Sequence, residues 1–266
     1  MTLQIPRIDP AAPALVLDIG NTTITIGTWH EGKVKSPVAV PNDDSASLHD
    51  AINAQVDSMV TSSPAAVAIA SVVPDVLDRV RAHLDEMFDR DSLVVGERIA
   101  LPVDVGVDDP RAIGVDRVCS AAAAFETLET GCTIVDFGSA VTVDLVDDNG
   151  VLVGGAILPG LKMQLRAMHE YTAILPEVEP GFPELPYGCN TEQAMQTGVC
   201  RGLAGAVRGI VEGYATFLNR WPQVLATGGD VDMMLPHCDF LDTAAANLVL
   251  RGVGVAYSKH ISRVRL

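Results

Sequence analysis

Two six-residue strings, related but not identical, constrain what this chain can fold into. Asp18-Ile19-Gly20-Asn21-Thr22-Thr23 returns in altered form as Asp136-Phe137-Gly138-Ser139-Ala140-Val141. Each follows an apolar run, Ala14 to Leu17 or Cys132 to Val135, and each precedes alternating apolar and polar residues. A turn glycine closes both units at the same offset, Gly32 after Asp18 and Gly150 after Asp136. Two strand–turn–strand units with a carboxylate at the end of the first strand predict a duplicated fold that aims two loops at one ligand. Short Gly/Ser/Thr turns after an acidic strand end suit nucleotide phosphates and their metal.

The rest of the pattern is α/β. Strands are predicted at Leu15–Ile19, Ile24–Trp29 and Lys33–Val40, then a helix at Ser45–Val60. Ala65–Val72 is almost wholly apolar, as in a strand buried on both faces. Pro74 opens a helix running to about Phe88, and Ser92–Val95 is a short strand. After the Pro- and Asp-rich loop Leu101–Ile113 comes an Ala-rich helix, about Asp116–Thr130. The second half repeats the theme with strands Cys132–Asp136, Thr142–Asp147 and Leu152–Ile157 and a helix Leu161–Tyr171. A loop with four prolines, a long helix at Glu192–Leu218, a strand at Gln223–Ala226 and a last helix at Thr243–His260 complete the reading. It divides the chain into a flexible leader (1–13), an N-terminal domain (14–130) and a C-terminal domain (131–266).

Charge and composition exclude some roles. With 34 acidic against 18 basic residues, the net charge of −16 opposes nucleic-acid and anionic-membrane surfaces. No apolar stretch approaches the roughly 20 residues of a spanning helix. Five scattered cysteines without a CxxC pair indicate neither a zinc site nor a disulfide framework, and fit a reducing cytoplasm.

In the first turn, Gly20 lets backbone approach a ligand, Asn21, Thr22 and Thr23 supply donors, and Asp18 is a candidate magnesium ligand. In the second, Ser139 and Thr142 can donate to phosphate oxygens and Asp136 is a candidate cation ligand. Asp144 reads equally as a polar residue at a sheet edge. Gly114-Val115-Asp116-Arg117 opens the Ala-rich helix. Asp116 there is a cap or a proton acceptor, near even, and Arg117 pairs with that acid or binds an anionic substrate. The glycine pairs Gly154-Gly155 and Gly228-Gly229 are tight turns or nucleoside contacts. Met233 and Met234 read as core filling.

These pieces, in order, make the chain similar to type III pantothenate kinases, the Bvg accessory factor family. The likeness runs from about Leu15 to Tyr257 and also takes in Ser71-Val72-Val73-Pro74, Thr172-Ala173-Ile174-Leu175-Pro176 and Asn190-Thr191. It implies an actin-like, ribonuclease-H-type fold of two similar domains with a central cleft. It further implies ATP-dependent phosphorylation of pantothenate, the first step towards coenzyme A. By the same resemblance, Asp18, Ile19, Gly20, Asn21, Thr22, Thr23, Ile24 and Thr25 form the phosphate loop, and Ser139 contacts ATP. Gly114, Val115, Asp116 and Arg117 bind pantothenate with Asp116 as proton acceptor, and Thr191 joins them. Asp136 holds potassium or ammonium beside magnesium, and the enzyme acts as a cytoplasmic homodimer. The chain departs from the family pattern with Ser139 for Thr, Val115 for Ala, Val107 for Tyr and Asp109-Pro110 for Asn-Pro. Alternative readings are a kinase for another small hydroxy-carboxylate or sugar, and a non-catalytic nucleotide-binding regulator.

Overall fold

A computed structural model describes residues 12–59, 63–110 and 112–264. They form two five-stranded sheets with matching connectivity. In the first, β1 (Ala14–Ile19), β2 (Thr23–His30) and β3 (Lys33–Pro41) are an antiparallel meander; β4 (Val67–Ser71) lies parallel to β1, and β5 (Leu93–Val94) parallel to β4. In the second, β6 (Cys132–Phe137), β7 (Ala140–Val146) and β8 (Leu152–Pro159) form the meander, with β9 (Gln223–Thr227) parallel to β6 and β10 (Thr243–Ala244) parallel to β9. The strand orders, β3-β2-β1-β4-β5 and β8-β7-β6-β9-β10, correspond one to one. The repeated sequence string is thus a repeated sheet, as expected.

The turn glycines behave alike as well. Gly32 has φ 73° and Gly150 φ 79°. The first hairpin has the two-residue loop Glu31-Gly32, with Glu31 also left-handed at φ 53°. Positive φ at both positions matches the turn's twist to that of the strands it joins.

Alternation along the strands sorts side chains by size. On β1 and β4, Leu15, Leu17, Ile19, Val67 and Ile69 face α1 (Ser45–Asp57) and α2 (Pro74–Phe88), meeting Leu48, Ile52, Leu77, Val80 and Leu84. The opposite face carries the smaller Ala14, Val16, Ala68 and Ala70. It packs on α3 (Val115–Leu128) and on the C-terminal helix α8 (Leu248–Val264) through Cys119, Ala122, Leu250, Val253, Ala256 and Tyr257. Small strand residues let helices approach, and Gly252 and Gly254 let α8 come closer still. A Cβ on Gly252 would collide with the Cys119 backbone, and one on Gly254 with the Trp29 ring.

This packing revises the expected division. Among the described residues, the two compact units are 12–104 with 108–126 and 247–264, and 105–107 with 127–246. The last helix therefore belongs with the first sheet, not with the second domain to which a boundary at Thr130 assigned it. Of the expected leader, residues 1–11 lie outside the described residues. Pro13 is buried and its carbonyl accepts from Ala65 N at 2.8 Å, so it belongs to the fold.

The second unit has its own core. Val135, Phe137, Val141, Val143, Val224 and Ala226 from the sheet meet Leu161 and Leu165 of α4 (Leu161–Glu170) and Leu203, Val207 and Val211 of α6 (Gly202–Leu218). The expected single helix Glu192–Leu218 is three pieces: α5 (Thr191–Gln196), a π turn at Thr197–Arg201, and α6. Thr243–Ala244 is strand rather than the start of the last helix, and a short helix α7 (Val231–Met234) follows β9. It buries Met234 completely and leaves Met233 36% exposed, so only one of the pair fills the core. Among the described residues no helix is long and apolar enough to cross a membrane.

Candidate functional site

In the first unit, Asp18 sits near the end of β1, paired with Thr25 of β2 and Ala70 of β4. The turn that follows is closed by Gly20 N donating to Thr23 O at 3.0 Å, and Asn21, Thr22 and Thr23 are exposed. Ile19 and Ile24 are fully buried under α1 and α2, so only their backbone can serve a ligand. A Cβ on Gly20 would meet nothing nearer than Thr23 O at 3.5 Å. Glycine there relieves no clash within the chain and instead leaves open space beside the turn.

Asn42, just past β3, holds this turn in shape. Its amide donates to Gly20 O at 2.8 Å, and its backbone N–H donates to Thr22 O at 3.1 Å. Its Oδ1 is buried without a hydrogen-bond partner among the described residues, and its own carbonyl accepts from Arg79. No local pattern marks an Asn 22 residues from the glycine it braces; only the pairing of β3 with β2 brings it there. Asn42→Ala should raise the KM for a nucleotide substrate by about tenfold, the worth of one or two hydrogen bonds holding a loop. Steady-state kinetics with varied ATP checks this, and an unchanged KM would contradict it.

The Gly114–Arg117 segment enters α3 in the same unit. Asp116 lies in the first turn of the helix, partly buried, and accepts from Arg117 N at 2.8 Å. A Cβ on Gly114 would collide with Asp116 Oδ1, so glycine lets the carboxylate fold back over the chain. Burial pushes the Asp116 carboxyl above its ordinary value of 3.8, against the opposing pull of the Arg117 N–H and the Arg117 charge. Desolvation disfavours the charged form and so makes the ionised carboxylate a stronger proton acceptor. The thiol of Cys119, one turn along α3, is pushed up by burial first and then by the negative charges of Asp18 and Asp116. Asp18 and Asp116 belong to the same unit. Val115 is drawn partly into the core beside α8, which leaves Gly114, Asp116 and Arg117 for polar contacts.

In the second unit, Asp136 pairs with Thr142 across the hairpin and with Thr227 of β9. Three turns meet around it. Gly160 N donates to Ser139 O at 3.1 Å, and Asp230 N donates to Phe137 O at 3.0 Å. A Cβ on Gly228, whose φ is 101°, would lie 2.5 Å from Asp136 Oδ1; one on Gly138 would lie 3.4 Å from it. A Cβ on Gly160 would press on the Gly138 and Ser139 carbonyls. The glycines of three motifs therefore let these turns pack closely beside a carboxylate, and Ser139 is exposed next to them. Thr191 is exposed as the first residue of α5, behind the cap Asn190, which accepts from Gln193 N at 2.8 Å. No hydrogen bond among the described residues joins Thr191 to the Asp136 turn.

Two sequence readings change. Gly154-Gly155 is not a strand-to-helix turn but lies inside β8, opposite Leu145 and Asp144; Gly154 has φ 151° beside the register shift at Leu145 and Val146. It is a bulge glycine. Asp144 is buried in β7, which runs between β6 and β8, so it is not at a sheet edge.

No group of three or more His, Cys, Asp or Glu side chains among the described residues could cage a metal. Magnesium does not need such a cage, since it keeps several waters and binds through one or two carboxylates plus substrate phosphates. Asp18 fits that use. The Asp136 carboxylate supplies the oxygen ligand that a hard cation takes.

Duplicated sheets of this topology, each with an acidic strand end and a glycine turn, define an actin-like fold of the ribonuclease-H type. Solved structures agree on the fold. Component A of (R)-2-hydroxyglutaryl-CoA dehydratase from Acidaminococcus fermentans matches with a TM-score of 0.56 at 12% identity, over 96% of this chain and 100% of that one. The activator of 2-hydroxyisocaproyl-CoA dehydratase from Clostridium difficile, solved with bound ADPNP, matches at 0.55 and 11%, over 95% and 97%. Sequence narrows the class. A model of the type III pantothenate kinase family matches residues 14–213. A type III pantothenate kinase of Dehalococcoides mccartyi is 34% identical over 258 residues, 91% of this chain and 96% of the relative. One from Listeria monocytogenes is 31% identical over 251 residues, 92% and 97%. This chain belongs to the type III pantothenate kinase family.

Proposed function

We propose that this protein transfers the γ-phosphoryl group of ATP to the terminal hydroxyl of pantothenate, the first step towards coenzyme A. Family membership across nearly the whole chain carries the reaction class, and one local observation carries the chemistry. That observation is the partly buried Asp116, folded over Gly114 at the head of α3 with its carboxyl pushed up by burial. In the step, the hydroxyl oxygen bonds to the γ-phosphorus, the bridging P–O bond to ADP breaks, and the hydroxyl proton passes to Asp116. Positioning and charge neutralisation do most of the work in phosphoryl transfer, so a carboxylate base suffices. Arg117 holds the pantothenate carboxylate, with Gly114 and Val115 beside it. The Gly20–Thr25 turn holds phosphates through backbone amides and the Thr hydroxyls. Asp18 would hold magnesium, which would neutralise phosphate charge there. Incubation with ATP and pantothenate tests the reading: phosphopantothenate and ADP should appear in equal amounts, and absence of product would refute it.

Asp136 holds potassium or ammonium in this account, supported by its oxygen-ligand carboxylate near the end of β6 beside the Gly138 and Gly228 turns. Asp136→Ala should abolish the activation of turnover by potassium. A variant that still responds like the parent, in assays with potassium exchanged for sodium, would contradict the role.

The protein is proposed to work as a cytoplasmic homodimer. All five cysteines are free, four of them buried, which suits a reducing compartment. The second unit exposes large apolar side chains on and near its edge strand, with Ile157 64%, Met163 50%, Tyr171 86% and Ile174 89% exposed. Exposed apolar patches mark association surfaces. Ile157→Glu should shift sedimentation from dimer to monomer, and a parent protein sedimenting as a monomer would end the proposal.

A further inference from the structure

A cavity of about 170 Å³ lies between the segment 98–102 and one face of α8. Its helix side is Ala256, Lys259, His260 and Arg263, the i, i+3, i+4, i+7 spacing of a single face. Ile99, Leu101 and Ala256 supply apolar lining, while Arg98, Lys259, His260 and Arg263 supply cationic or protonatable groups. This concentration stands out in a chain of net charge −16 with only 18 Lys and Arg.

Acidic neighbours reach only one of these groups. Asp91 pairs with Arg98 at 2.7 Å, and both are exposed. Glu97 turns to Arg81 at 2.9 Å instead. Lys259 Nζ donates to Pro102 O at 2.9 Å, a neutral acceptor that leaves its charge unbalanced. Among the described residues, Lys259, His260 and Arg263 form no ion pair. Arg263 in the last helical turn complements the helix dipole, but that accounts for only one of the four basic side chains. Converging cations around a concavity raise the local concentration of an anion even on a protein whose overall field repels it.

We propose that this cavity binds a phosphate group, free or esterified, and that it does so with residues other than those of the nucleotide turn. The volume suits a phosphate with a short substituent and is small for a whole nucleotide, whose pockets run to several hundred Å³. Arg98 and Arg263 supply forked donors, and Lys259 and His260 supply single ones. The inference does not depend on the pantothenate kinase reaction.

The test is isothermal titration of the full chain with inorganic phosphate, and separately with ethyl phosphate. Ionic strength is held fixed, and a non-hydrolysable ATP analogue saturates the nucleotide site. Saturable uptake of at least one of the two ions is expected, and the tighter of the two identifies the source. Arg263→Gln, which leaves the Arg98–Asp91 pair intact, should weaken binding by about tenfold, the worth of one charge-assisted contact. The double variant Arg98→Gln/Arg263→Gln should weaken it further. Arg220→Gln, outside the cavity, should leave it unchanged. Melting temperatures matching the parent show that each variant is folded. Absence of saturable uptake of either ion, or equal affinity in parent and Arg263→Gln, overturns the proposal.

Discussion

Asp116→Asn should lower kcat by about 10²- to 10⁴-fold, the usual contribution of a positioned acid–base group, while ATP still binds with near-parental affinity. The amide keeps the shape of the carboxylate and its acceptor oxygen for the Arg117 N–H, but it cannot take a proton. The same variant should melt at the parental temperature or above it near neutral pH. The carboxyl is held above its ordinary value in the fold, so its ionisation favours the unfolded chain. Its favourable contribution is full below the unfolded value and is lost as pH rises through the folded one. At neutral pH the ionised Asp116 is therefore a burden on the fold, which the neutral Asn removes. A base held this way also moves the acid limb of the pH–rate profile above that of an ordinary aspartate. Near-normal turnover in Asp116→Asn would remove Asp116 from the mechanism. Lost turnover together with a large fall in melting temperature would make it structural.

Gly252→Ala should produce the largest loss of stability among single-methyl changes in the first unit, and Gly209→Ala in α6 should do the opposite. Both glycines lie in helix interiors, where Ala is intrinsically better by about 1 kcal/mol. At Gly252 the added methyl meets the Cys119 backbone, which cannot rotate away. Overpacking of this kind costs about 1–3 kcal/mol and pushes α8 off α3. At Gly209, exposed on α6, a Cβ meets nothing within 4 Å, so the propensity gain stands alone. Melting curves should move in opposite directions, by about 2–4 °C for each kcal/mol in a chain of this size. Because α3 carries Asp116, Gly252→Ala should also reduce turnover, which Gly209→Ala should spare. Stabilisation by both substitutions would mean that α8 does not sit on α3 as closely as described.

What could be read in the sequence was what repeats or is local. The Asp18 and Asp136 strings, with Gly32 and Gly150 at equal offsets, foretold two sheets of one topology, because a hairpin's register follows from alternation and turn residues. Pro74 and the Gly114–Arg117 run foretold where α2 and α3 begin. Contacts between distant segments were not legible. Gly252 and Gly254 look like liabilities in a helix until Cys119 and Trp29 lie beneath them, so α8 was assigned to the wrong half. Asn42 carries no mark of the turn it braces. The π turn at Thr197–Arg201 leaves the apolar pattern nearly continuous, so three helical pieces read as one. Gly154 lies inside the expected strand Leu152–Ile157, yet its glycine pair also read as a tight turn or nucleoside contact, because the bulge it relieves depends on Leu145 across the ladder. In the candidate site, residue types were legible and their support was not. Asp116 could be named as cap or base, but its burial and the space Gly114 leaves for it are properties of the folded chain.

The most direct test of the account is phosphorus NMR of purified protein with ATP, magnesium, potassium and pantothenate. The prediction is a phosphomonoester resonance of phosphopantothenate growing in step with ADP, and lost in Asp116→Asn. ATP left intact, or split to inorganic phosphate with pantothenate unchanged, would contradict it.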